Sequence, residues 1–365
     1  MNHYRITRNT HEWADSLLSS GPLCDSQGIE RNVDVLHEAV SSLLSNVYSE
    51  TVSNIQRSWN PFAYTVARRT LDKAYYFCSK RDDRKSLQQI KFLEEISNSE
   101  SLNDKNEFDH ELYILNEHQS SIYAQDIMRH FNEHLSENGK CNFKKKSNEC
   151  KVNFQKSIDI LNFCLPNISK TTIGSCPVIS LIDGKMSSAY INSNPCCFMV
   201  NIDTLSKHVE LAELILHESL HQKFIDIRLT TSLSLASYED FDADAVGKIP
   251  IPWPNEQNPR YWSAIRALAA MHVYVHLVVF YLSLVNSHKY CRSDQKYNSA
   301  FLRLKECFER SNYLRERLKM QDAVIWYGHE GISLYSILAK ILEEVITIDF
   351  NGMNLYSTAK KWGIK

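Results

Sequence analysis

The chain has 365 residues, 43% of them hydrophobic and 23% charged, with only 10 glycines and 9 prolines. That excludes a disordered, collagen-like or low-complexity chain and leaves room for one large core or two smaller ones. With 41 basic against 43 acidic residues the formal charge is -2, so no global field recruits nucleic acid or an anionic membrane.

The N-terminus lacks the charged-then-apolar run of a signal peptide, and His11 to Asp15 reads as the start of an amphipathic helix, so a cytoplasmic protein is expected. The 10 cysteines show no Cys-x-x-Cys pair and no regular spacing, which argues against a zinc ribbon or a disulfide framework and for small core residues. Val33 to Val52 carries apolar residues at helical spacing (Val33, Leu36, Val40, Leu43, Leu44, Val47). Phe62 to Cys78 is an aromatic-rich helix, and Leu112 to Leu135 is a long amphipathic run that stops near Asn138-Gly139. Ser97 to Asp109 is a polar loop. The basic stretch Asn138 to Lys151 is the expected boundary between a helical N-terminal region, 1–150, and a second region, 151–365.

Beyond it the texture changes. Asn153 to Leu165 is helical, and Cys176 to Asp183, Ser188 to Ile191 and Cys197 to Ile202 are β-rich, the second and third forming a hairpin. Helical periodicity resumes at Leu205 to Ile227, Tyr261 to Val285, Phe301 to Leu318 and Ile332 to Ile346. Ala267 to Val285 is uncharged for long enough to cross a bilayer. His272 and His276 near its middle would be costly in lipid, so a buried core helix is expected instead. The fold expected is α+β and predominantly helical, with a small sheet beside a buried helix in a zincin-like core.

That helix carries His217-Glu218-Ser219-Leu220-His221, an HExxH motif. Residues four apart share one helix face, so both imidazoles reach one metal ion and Glu218 stands beside its open position. Leu211, Ala212, Leu214, Ile215, Leu216, Leu220, Phe224 and Ile225 make the helix apolar nearly all round. Its polar stripe is Glu210, Glu213, His217, Glu218 and His221, and such groups are not buried without partners. His130-Phe131-Asn132-Glu133-His134 has the inverted HxxEH spacing, but both histidines fall off the apolar stripe of Ala124, Ile127, Phe131 and Leu135 and read as a wet helix face.

A third ligand decides the class. Phe224 and Ile227 stand where a metzincin needs glycine and histidine. A thermolysin-like site would draw a glutamate from a following helix, for which Glu239 is the nearest option. The other option is the later apolar helix, where His272, ahead of His276, supplies a third imidazole. Three protein ligands leave positions open either for a zinc-bound water or for a redox metal with a cosubstrate, and ligand chemistry alone does not choose between them.

The run from Cys176 through Tyr281 resembles the HExxH-type iron- and 2-oxoglutarate-dependent peptide hydroxylases associated with ribosomally made, post-translationally modified peptides. The features that match are the β-rich segments, LAELILHESLH (Leu211 to His221), the loop IPIPWPNEQNPR (Ile249 to Arg260) and the helix MHVYVHLVVFY (Met271 to Tyr281). The resemblance covers about a third of the chain. It implies Fe(II) on His217, His221 and His272, a 2-oxoglutarate carboxylate on Arg260 or Arg266, and a precursor peptide as partner, hydroxylated on a side-chain carbon. Glu218 would then support a ligand from behind or handle a proton, in place of acting as the hydrolytic base. The alternative expectation is a zinc metallopeptidase in which Glu218 is the general base, and a third is a peptide-binding module with a vestigial site.

Overall fold

The structure is a computed structural model and describes residues 9–20, 23, 25–99, 113–115, 121–135, 142–143, 148–183, 186–235, 249–253, 260–287, 290, 293–320 and 327–348. The fold is α+β and mostly helical. The chain divides into two compact units, each discontinuous in sequence: one holds 26–160 and 170–226, the other 1–25, 161–169 and 227–365. They are described separately.

The first unit holds α2 (Ser26–Tyr48), α3 (Pro61–Ser79), α4 (Asp83–Ser97), α5 (Ile122–Leu135) and the start of α6 (Asn148–Cys164). The aromatic-rich run forms α3 because Asn60 caps its start, accepting from the Phe62 amide at 3.0 Å, and Pro61 occupies the first turn, where no amide donor is needed. Asp82 caps α4 in the same way through the Lys85 amide. A helix of weak apolar patterning, α4 was not among the segments expected from periodicity; its Ile90, Leu93 and Ile96 are buried in the core with Leu71 and Ala74 of α3.

The sheet lies in the same unit: β1 (Tyr113–Leu115), β2 (Asn142–Phe143), β3 (Val178–Asp183), β4 (Ser188–Tyr190) and β5 (Cys197–Asn201). β3 pairs in parallel with β1 and β5, β2 pairs antiparallel with β3, and β4 and β5 form the expected hairpin with Ser188 opposite Val200. All five residues of β5 are buried, the continuous apolar run of a strand covered on both faces. One expectation is corrected here. Tyr113 to Leu115 begins no helix, because these residues take up the open edge of β3, where their backbone groups find partners.

The second unit contains α1 (Asn9–Ser20), β6 (Ile249–Ile251), β7 (Arg260–Trp262), α9 (Ala264–Asn286), α10 (Asp294–Met320) and α11 (His329–Ile346). α7 (Pro166–Thr172) and α8 (His208–Thr230) each contribute residues to both units. Asp15 of α1 accepts from the Asn167 and Ile168 amides at 3.1 and 2.9 Å and so caps α7 from another element. Tyr261 and Trp262 belong to β7, not to the helix expected from Tyr261; α9 begins after Ser263, whose hydroxyl caps it. By length and composition α9 could cross a bilayer, but 83% of its most apolar window is buried inside the protein, where it packs along α10.

Cys150, Cys164, Cys176, Cys196, Cys197 and Cys307 are buried and not in disulfides, the small core residues expected, whereas Cys24, Cys141 and Cys291 lie outside the described residues. Burial pushes the Cys196 thiol up to about 11, so it stays protonated at neutral pH.

Two predictions follow from these packings. Gly328 and Gly331, at the start of α11, face the Ser232 and Leu233 carbonyl oxygens so closely that a Cβ at either position would overlap backbone. Gly328→Ala should therefore destabilise by about 1–3 kcal/mol in chemical denaturation, the usual cost of overpacking. His37, buried on α2, is held down to about 3 by burial and by Arg68 and Arg57. Because the folded pKa lies below the unfolded value, the unfolded chain binds the proton first and stability falls as pH drops from about 6.5 to 3. His37→Leu should flatten that fall by up to about 1.4 kcal/mol per pH unit, read from melts at stepped pH.

Candidate metal centre

α8 is apolar on almost every side: Leu211, Ala212, Ile215, Leu216, Leu220 and Ile227 are wholly buried. A helix without an amphipathic stripe has no preferred rotation about its axis from hydrophobic burial alone. The rotation is set by three polar residues at i, i+4 and i+8. Glu218 accepts from the Ser188 hydroxyl of β4 at 2.6 Å. Gln222 accepts at Oε1 from the Cys196 amide at 2.6 Å and the Tyr190 hydroxyl at 2.9 Å, and donates through Nε2 to Asp226 Oδ1 at 2.8 Å. Asp226 also takes a hydrogen bond from the Arg68 guanidinium of α3, and both members of that ion pair are buried. Burial opposes the Arg68 charge, but Asp226 overrides it and holds the guanidinium well above its ordinary range.

With the stripe anchored to the sheet and to α3, the residues one position before Glu218 and Gln222 are turned to a neighbouring face. There the His217 and His221 rings stand one turn apart with their Nε2 atoms 3.2 Å from each other. Both are half-buried. Two imidazoles at that spacing either share one proton or point both lone pairs at one cation. For metal–nitrogen bonds of about 2.0–2.1 Å in tetrahedral geometry the two nitrogens would lie about 3.3 Å apart. The donor set therefore fits a single borderline-soft divalent ion such as zinc or Fe(II).

Glu218 is buried, and its Oε1 lies 3.8 Å from His217 Nδ1, the ring nitrogen remote from the Nε2 pair. Burial raises its pKa, against the lowering effects of His221 and of the Ser188 hydrogen bond. The Tyr190 ring lies nearly parallel to His221, 6.0 Å away and 16° inclined, so the β4–β5 hairpin limits the tilt of that ring.

Within each unit taken by itself, no group of three or more described His, Cys, Asp or Glu side chains is assembled as a metal cage. His272 and His276 are buried on α9, in the other unit. The Nδ1 of His276 is 2.7 Å from the His272 carbonyl oxygen, which makes Nδ1 the protonated nitrogen and leaves the lone pair on Nε2. Arg260 is exposed at the start of β7, and Arg266 is exposed with its guanidinium 5.1 Å over the Trp262 ring. Glu239 and residues 254–259 of the proline-rich loop lie outside the described residues.

The inverted motif on α5 differs from its expectation in one respect. His134 is exposed, but His130 is buried and is held down to about 3 by burial and by Arg69 and Lys73. His134 uses Nδ1 on the His130 carbonyl oxygen at 3.0 Å and Nε2 on the Ser193 hydroxyl at 3.1 Å. Its ring nitrogens are thus occupied by protein groups, the opposite of the convergent pair on α8.

Sequence reasoning missed Gln222, Asp226, Arg68, Tyr190 and Ser188. Their signal was partly visible: Glu218, Gln222 and Asp226 repeat every four residues on a helix otherwise apolar, continuing the polar stripe past His221. No protein-family model matches the chain, and no curated protein matches its sequence.

The stripe yields a prediction. Gln222→Leu strands the Cys196 amide and the Tyr190 hydroxyl, which should cost about 1–3 kcal/mol in denaturant melts. It should also weaken Co(II) or Fe(II) binding by roughly 10–100-fold, as loss of groups that orient a ligand does elsewhere.

Proposed function

We propose that the protein is an Fe(II)- and 2-oxoglutarate-dependent hydroxylase acting on a side-chain carbon of a ribosomally made precursor peptide. The observation that carries the metal is the convergence of His217 and His221 Nε2 at 3.2 Å on a helix whose rotation is fixed by buried polar bonds. The choice of oxygenase rests on the resemblance of the Cys176 to Tyr281 run to the HExxH-type peptide hydroxylases.

When bound together, Fe(II) and 2-oxoglutarate supply a reaction that consumes O2, releases succinate and CO2, and places one oxygen atom into a substrate C–H bond. The chain's own residues would do the following. His217 and His221 hold the ion from one helix face. Glu218, on the Nδ1 side of His217, orients that ring, and its burial and its bond to Ser188 keep it from acting as a solvent-facing base. By the resemblance alone, His272 would supply the third imidazole and Arg260 or Arg266 would take the remote carboxylate of 2-oxoglutarate, a role suited to a guanidinium fork. The hydrogen bond at His276 Nδ1 favours a second reading of the third ligand, because a donor bond at one ring nitrogen is how ligating imidazoles are commonly oriented.

The assay is succinate release with a mass gain of one oxygen atom on a candidate peptide, run under air and under argon. Wild type should give both products only under air. Glu218→Gln should reduce them by roughly 10–100-fold without abolishing them. Peptide cleavage under argon, lost by several orders of magnitude in Glu218→Gln, would establish a zinc peptidase with Glu218 as general base instead. His272→Ala should lose the metal while the fold persists and His276→Ala should keep it; the reverse outcome assigns His276.

A further inference from the structure

α3, α4 and α5 enclose a cleft of about 560 Å³ in the first unit. That volume is within the range of small-molecule sites. Its walls bring cationic heads from three directions: Arg69 and Lys73 from α3, Lys91 from α4 and Arg129 from α5. Arg69 and Lys73 are one turn apart on the same helix, a like-charge arrangement that costs stability unless something offsets it.

The acidic groups facing the cleft do not offset all of this charge. Asp126 is shared between Arg69 and Arg129, and Glu133 lies 3.5 Å from Arg129. Glu95 is exposed on the rim. Among the described residues, neither Lys73 nor Lys91 has a carboxylate within ion-pair distance. Burial lowers the basicity of Lys73, and Arg69 and Arg129 lower it further against an opposing pull from Glu133; burial and Arg129 bring Arg69 down to about 10, again against Glu133. His130, on the same wall, stays neutral and adds no charge. A bound anion would relieve the repulsion that Arg69 and Arg129 exert on Lys73. Gln88 and Gln89 add amide groups able to bond a polar remainder, and Phe92 gives one apolar contact.

We propose that this cleft binds a compact phosphate-bearing small molecule, with Lys73 and Lys91 as the charges that hold the phosphate and Arg69 and Arg129 framing it. Two ammonium groups without their own carboxylates suit a dianion. Donors arriving from three helices suit a tetrahedral group better than a planar carboxylate, and lysine serves phosphate as a point charge. The site is independent of the histidine pair and of the reaction proposed there.

The test titrates pyrophosphate and inorganic phosphate into the full chain, read by calorimetry and by the ligand-induced rise in Tm. Wild type should bind pyrophosphate saturably at or below millimolar concentration, more tightly than phosphate. Lys73→Gln and Lys91→Gln should each weaken binding at least tenfold, whereas Lys305→Gln and His217→Ala should not. Because Lys73 is repelled by its neighbours, Lys73→Gln should leave the Tm of the unliganded protein unchanged or higher. No saturable binding up to 10 mM, in the range where a ligand site would already respond, would overturn the proposal. Equal binding by wild type and both lysine variants would overturn it, as would a lowered unliganded Tm for Lys73→Gln. Loss of binding in His217→Ala alone would move the anion to the metal centre and overturn it too.

Discussion

The rotation of α8 about its own axis is the constraint on which the candidate centre depends. Hydrophobic burial is non-directional, and a helix lined on all sides by leucine, isoleucine and alanine packs with similar apolar gain over a range of rotations. The bonds from Ser188 to Glu218, from Tyr190 and the Cys196 amide to Gln222, and from Arg68 to Asp226 are directional. They remove that freedom. A twist that moved the stripe off its partners would strand several buried polar groups together, at about 1–3 kcal/mol each. The histidine face is therefore placed by the bonds of the adjacent face.

The comparison of the two histidine pairs shows why spacing is a weak predictor by itself. Both pairs sit four residues apart on a helix, and both have a glutamate nearby. On α5 the helix faces a basic cleft, and the His134 ring is drawn to its own backbone and to Ser193. On α8 the backbone is enclosed by apolar packing, and the two rings turn to each other. The discriminating signal in the sequence was the apolar context of the second motif, which separates a helix enclosed by apolar packing from one that borders a polar cleft.

Much of the fold was legible for the same reason. Long periodic runs such as Phe62 to Cys78 and the β4–β5 hairpin carry their pattern locally, and the caps Asn60 and Ser263 are local too. What local pattern did not carry was pairing at a distance. Tyr113 to Leu115 takes its strand geometry from β3, more than sixty residues away, and α4 gains its helix from the surface that α3 offers. Of the candidate centre, His217, His221 and Glu218 were readable as a motif. Arg68 was not, since its role exists only where α3 meets Asp226, more than 150 positions further along the chain.

The Arg68–Asp226 pair also bears on how this sequence can change. Each charge is buried and each compensates the other. Removing one alone leaves an uncompensated ion in the interior, a loss of about 3–5 kcal/mol, while replacing both with apolar residues of similar volume can be close to neutral. The two positions are therefore separated from their alternatives by a valley that single substitutions must cross, and the stability of a typical domain, about 5–15 kcal/mol, leaves little depth for crossing it. Drift at α3 and at the end of α8 is coupled, so a covarying pair at 68 and 226 is the trace this interior would leave in a set of related sequences.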